Sequence, residues 1–134
     1  MIESAEEFVR LRCSEDPDLY TRAAWEEAPE EIWHELLLKY HDDPDMRFGI
    51  ALNKKLPASI IMILAKDDSW RIRYTIAQKR SVDRAVRELL SRDDDEPVRK
   101  AVAVNSKTPR DILESMVNDP VSEIAERARK RLAE

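Results

Sequence analysis

Apolar residues in this chain come in short runs at helical spacing, separated by acidic turns, and from residue 41 onward the runs recur every 26 positions. Arg47 and Ala51 are followed at that step by Arg73 and Ala77, then by Arg99 and Ala103. Ile60, Val86 and Ile112 keep the interval, as do Leu64, Leu90 and Met116, and the acids Asp42, Asp68 and Asp94. Apolar positions three and four apart predict amphipathic helices. Self-similarity at this period predicts stacked helical units, each covering a neighbour's apolar face. The expected class is all-α, an α-solenoid of about four units plus caps.

Taken in order, Ser4 with Glu7 three residues later reads as a capping box for a first helix carrying Phe8, Val9 and Leu11, a capping segment over 1–14. Asp16-Pro17 reads as an N-cap with Pro at the first helical position. Leu19, Ala23, Trp25, Ile32, Trp33 and Leu36 then mark a diverged unit over 15–40, broken at Ala28-Pro29. Regular units follow at 41–66, 67–92 and 93–118. Their first helices should end near Asn53, Lys79 and Asn105, and their second helices should begin at Pro57, near Val82 and at Pro109, with Thr108 as the cap of the last. Ala51, Ala77 and Ala103 mark the places where helices approach closely. A C-terminal capping helix over 119–134 places Val121, Ile124, Ala128 and Leu132 on one face. With no Ser/Gly-rich linker, 1–134 reads as one continuous domain.

Composition narrows the picture. A single glycine, Gly49, argues against hairpin architectures and glycine-rich phosphate loops. Charged residues are 38% of the chain, which suits thin layers with much solvated surface. One cysteine, Cys13, cannot form an internal disulfide, and it is expected to be a small buried apolar residue. With no membrane-length apolar run and no leader-like start, the expectation is a cytoplasmic protein with no membrane partner. Charge is distributed unevenly: 1–45 is net −10, 46–110 is net +7 and 111–134 is net −2.

The string Val98-Arg99-Lys100-Ala101-Val102-Ala103-Val104-Asn105 through Thr108-Pro109-Arg110-Asp111-Ile112-Leu113 resembles the leucine-rich variant repeat, a relative of the HEAT repeat found in small bacterial repeat proteins. Arg47 to Leu64 is similar, with Asn53 and Pro57 in place, whereas the middle unit departs at Lys79 and Asp83. The resemblance implies a right-handed superhelix. The family's prototype is associated with an iron–sulfur cluster held by a cysteine-rich segment; with Cys13 alone that cofactor is not carried over, and no cofactor is expected. Members of the wider class serve mostly as protein-binding scaffolds, some bind DNA, and a few are enzymes.

Candidate chemistry is sparse. His34 and His41 are seven apart, the wrong spacing for a zinc protease, and the acids Asp42, Asp43 and Asp45 do not complete a calcium loop. No metal and no catalytic residue is assigned. The regular Arg47, Arg73, Arg99 ladder reads as structural pairing with Asp42, Asp68 and Asp94, the alternative being phosphate contact. Trp33 is placed in the core; Trp70, in a charged turn, is a contact candidate or packs between units. Two functions remain. The first is a non-catalytic protein-interaction module whose acidic front, including Glu26, Glu27, Glu30, Glu31 and Glu35, binds a basic protein, as immunity-type inhibitors do. The second is nucleic-acid binding through the basic middle, where Arg80, Arg84 and Arg87 are the candidate contacts.

Overall fold

The computed structural model describes all 134 residues and is all-helical, with ten α-helices and no strand. The chain divides into two compact units, Met1–Ile63 and Leu64–Glu134.

The first unit contains α1 (Ala5–Arg12), α2 (Pro17–Trp25), α3 (Glu30–Lys39), α4 (Pro44–Ala51) and all but the last residue of α5 (Ala58–Leu64). Its core is built on Ile2, Phe8, Leu11, Ala23, Trp33, Leu36 and Ile50. Phe8 meets Trp33 edge to face, with ring centroids 5.3 Å apart, the arrangement aromatic quadrupoles favour. Helix starts follow the capping chemistry expected of them. Ser4 Oγ accepts from the Glu7 N–H at 3.0 Å, Asp16 from Asp18 at 2.9 Å and Asp43 from Met46 at 3.1 Å. The box at Ser4 is displaced by one residue, because the Glu7 carboxylate takes the Glu3 N–H and not that of Ser4.

Gly49 sits at a close approach of a side chain. A Cβ there would fall on Arg12 Nε and lie 2.8 Å from Arg12 Cδ. Arg12 crosses α4 at this point, donates to the Tyr20 hydroxyl at 2.9 Å and stacks over the Tyr20 ring. The same register position holds Thr75 and Ala101 downstream, where no such arginine exists.

The second unit contains α6 (Trp70–Ala77), α7 (Arg84–Ser91), α8 (Glu96–Val104), α9 (Arg110–Ser115) and α10 (Ser122–Leu132). Helix α8 packs against α6, α7 and α10, and α10 also packs against α9. Ile72, Ile76, Val86, Leu90, Val98, Val102, Ile112, Leu113 and Ile124 fill the interior. The recurring alanines Ala51, Ala77 and Ala103 are all buried, as a small residue at a close approach should be.

Three expectations are corrected. The second helices of the regular copies begin at Ala58, Arg84 and Arg110, one to two residues later than the sequence predicts. Pro109 takes the N-cap position with extended backbone, and Thr108 does not cap α9. Its buried hydroxyl donates instead to the Val102 carbonyl at 2.7 Å, satisfying one of the orphan acceptors at the end of α8. Cys13 is exposed, because it falls at the C-cap of α1, beyond the turn that faces the core.

One polar position ties consecutive copies together. Asn53 donates to the carbonyls of Ala23 and Glu26 at 2.8 and 2.9 Å, while its Oδ1 accepts from the Lys55 N–H. Asn105 repeats this in the second unit, donating to Ala77 and Lys79 and accepting from Lys107. One register step later Arg131 takes over the donor role, bonding Ala103 and Asn105 carbonyls at 2.9 and 2.7 Å. Buried carbonyls at helix ends need partners, and a long-range side-chain donor supplies them.

Candidate functional site

The arginine ladder is a structural device in the second unit. Arg73 Nε donates to Asp93 at 2.8 Å and its Nη2 to Asp95 at 2.5 Å, while Nη1 bonds the Asp67 carbonyl. Arg99 repeats the pattern with Asp119 at 2.9 Å and the Asp93 carbonyl at 2.8 Å. Asp93 therefore joins two rungs, its carboxylate to Arg73 and its carbonyl to Arg99. In the first unit Arg47 makes the corresponding carbonyl bond, to His41 at 2.7 Å.

The partner carboxylates differ from the expected Asp68 and Asp94. Asp93 and Asp119 each also take the N–H two residues on, from Asp95 and from Val121, both at 2.9 Å. That local bond turns the carboxylate inward, whereas Asp94 is exposed and offers Arg99 only its carbonyl. Bonds to Asp93 and to Asp119 hold the two guanidinium pKa values above their ordinary value. For Asp119, burial pushes the carboxyl up, but Arg99 and the Val121 N–H together outweigh it and leave it below the usual carboxylate value.

The other basic candidates are dispersed. Arg84 forms an exposed two-bond pair with Asp111. Arg87 is buried and donates to the Arg80 carbonyl at 3.0 Å. Arg80 itself is exposed. Trp70 is 39% exposed at the first turn of α6, edge-on to Tyr74 with Arg71 stacked over its ring. A shallow groove of about 400 Å³ in the second unit is lined by Lys66, Arg73, Leu89, Arg92 and Asp93 among others. Its central cation, Arg73, already has its carboxylates.

The acidic candidates fall into two classes. Glu26 is engaged by Arg22, whose bond holds its carboxyl below the ordinary value. Glu30 accepts from the Ser59 hydroxyl and lies 3.4 Å from His34 Nε2; the serine bond, then the histidine, hold it low too. Glu27, Glu31 and Glu35 are exposed and make no ion pair. Glu31, Glu35 and Leu38 stand at i, i+4 and i+7 on α3, one outward stripe, and Leu38 is 77% exposed. Beyond the helix end, Asp42 and Asp45 continue the acidic surface. Leu38 was not among the expected contacts. The signal was present in the run Leu36-Leu37-Leu38, because three consecutive helical residues cannot all face one core.

Comparison with protein-family models, with curated proteins and with solved structures found no match for this chain.

Proposed function

We propose that this chain is a short HEAT-like α-solenoid of leucine-rich variant repeats, acting as a non-catalytic protein-binding module that receives a basic partner on its acidic first unit. The observation that carries the reading is the outward stripe of α3. Two carboxylates without internal partners flank a leucine exposed to 77%. An apolar anchor with charges at its rim is the composition of a contact surface. The first unit holds 14 acidic and 7 basic residues, net −7, so its field favours approach by a cationic protein. An inhibitor of the immunity type, directed at a basic enzyme, is the specific form this reading takes.

The solenoid rests on the 26-residue register and on the Asn105 and Arg131 bonds that link consecutive copies. Nucleic-acid binding through 46–110 is less favoured, because Arg73, Arg84 and Arg99 already bond carboxylates.

The test is capture from native lysate on immobilised wild-type chain and on Glu31→Lys/Glu35→Lys/Leu38→Asp. A stoichiometric basic protein held by the first and lost by the second is the expected result. Equal capture by both would sink the reading.

A further inference from the structure

The shallow groove of the second unit carries side chains that its own fold does not use. It holds about 400 Å³, a volume that seats a small cluster of side chains, and Lys66, Leu89, Arg92 and Asp94 all line it. Arg73 in its wall is closed on Asp93 and Asp95, and Asp67 takes the Ser69 N–H. Lys66 and Arg92 are exposed cations that make no ion pair, and Leu89 is 39% exposed. The next register step has the same staple without these groups. There Arg99 meets Asp119 at 2.9 Å with Ser115, Asn118 and Pro120 in place of Leu89, Arg92 and Asp94. The leucine and the cation at the end of α7 are therefore additions of the middle copy, and the staple forms without them.

The outward stripe of α3 is complementary to this groove. Glu31 and Glu35 make no ion pair, and Leu38 is 77% exposed. Glu31 and Leu38 lie two turns apart on one face, about 10 Å along the axis. Two carboxylates and a leucine on one surface thus answer two cations and a leucine on the other. The stripe belongs to a unit of net −7 and the groove to one of net +2, so charge favours this pairing over stripe on stripe or groove on groove.

We propose that the chain associates with a second copy of itself, the α3 stripe of one copy seated in the groove of the other. The two faces differ, so the contact is heterologous. Asp94 opposes the incoming carboxylates, and a chain of net −5 repels its own copy. Association is therefore weak, with a Kd on the order of 100 µM at low salt. It uses the same stripe as the basic partner proposed above but does not require one. A cationic protein that binds more tightly displaces the second copy.

Sedimentation equilibrium of the chain alone at low salt is the experiment. The mass should rise above the monomer's as concentration passes about 100 µM and fall back in about 0.5 M salt. Lys66→Glu/Arg92→Glu and Glu31→Lys/Glu35→Lys should each weaken association at least about tenfold. Mixed in equal amounts, the two variants should associate within about threefold of wild type, because one brings an intact stripe and the other an intact groove. Leu38→Asp should weaken association about tenfold, and Asp94→Asn should tighten it about twofold. Arg80→Glu/Arg127→Glu makes the same change in net charge at exposed positions outside the groove and should stay within about twofold. All the substituted side chains save Asp94's are outside any ion pair and every one is exposed, so denaturant midpoints should not move. A wild-type chain still monomeric at about 1 mM, a groove variant that associates like wild type, or a mixture that stays monomeric overturns the proposal. Only the chain itself is measured, so these outcomes leave the capture of a basic partner as a separate question.

Discussion

The two units use charge in opposite ways. The second holds 14 acidic and 16 basic residues, net +2, and closes its arginine ladder on carboxylates of its own. Arg73 meets Asp93 and Asp95, Arg99 meets Asp119, Arg84 meets Asp111, and Lys100 meets Glu123. Further arginines, Arg129 and Arg131, go to helix-end carbonyls. The first unit, net −7, keeps Glu31, Glu35, Asp42 and Asp45 at its surface beside an exposed leucine. A basic stretch in a sequence is therefore not a basic surface. What matters is which of its cations the fold has already neutralised, and here Arg73 and Arg99 are taken by carboxylates while Glu31 and Glu35 are left facing outward.

If internal bonding carries the second unit, its polar staple should be the most sensitive point. Asn105→Ala leaves the Ala77 and Lys79 carbonyls and the Lys107 N–H without their partner and should cost about 2–3 kcal/mol. Asn53→Ala should behave alike in the first unit, and a denaturant titration measures both. A loss below about 0.5 kcal/mol would mean that water replaces the staple.

Ala77→Leu comes next. The alanine is 3% exposed between larger apolar neighbours, and overpacking should destabilise by about 1–3 kcal/mol in the same titration. A neutral result would show that α6 can shift to admit three more carbons.

The ion pairs give a smaller and graded effect. Asp119→Asn should cost about 1–2 kcal/mol, since its side chain is 6% exposed and faces Arg99. Asp111→Asn, in the solvated Arg84 pair, should leave the midpoint unchanged. Acid reports on the same groups. Asp119, buried beside Arg99, has a native carboxyl value below the ordinary one. A depressed native value adds stability above the unfolded value and loses it as pH falls through the native one, so stability should decline from about pH 5 downward. Asp119→Asn should make that decline shallower; an unaltered pH profile would remove Arg99–Asp119 from the account.

The smallest effect on stability is expected where the first unit faces solvent. Glu31→Lys with Glu35→Lys should change folding by no more than about 0.5 kcal/mol. The same pair should slow association with a cationic partner, and raised salt should mimic it. A large loss of stability would place these carboxylates inside the fold's own bonding and erase the contrast between the units.

Much of the fold was legible beforehand because its causes are local. Helical spacing of apolar residues, Asp16 and Asp43 as caps before proline, and the buried alanines at 51, 77 and 103 each follow from a few neighbouring residues. Thr108 was misplaced as the cap of α9 because its hydroxyl had a better partner in the Val102 carbonyl, six residues back and settled by the turn between them. The candidate surface was half legible. Glu31 and Glu35 could be named from charge, while Leu38 could not be chosen from three consecutive leucines until the phase of α3 was known.

By itself, then, the sequence determined the helical class and carries the 26-residue register, since these depend on periodicity and on side chains acting on their own backbone. Only the tertiary structure decided which charges are available. Arg73, Arg84 and Arg99 find carboxylates 20 to 27 residues away, and Arg87 is buried at a position where the other copies hold Ile61 and Leu113. An ion pair depends on two groups being brought within a few ångströms by packing, and nothing in the local chain measures that distance.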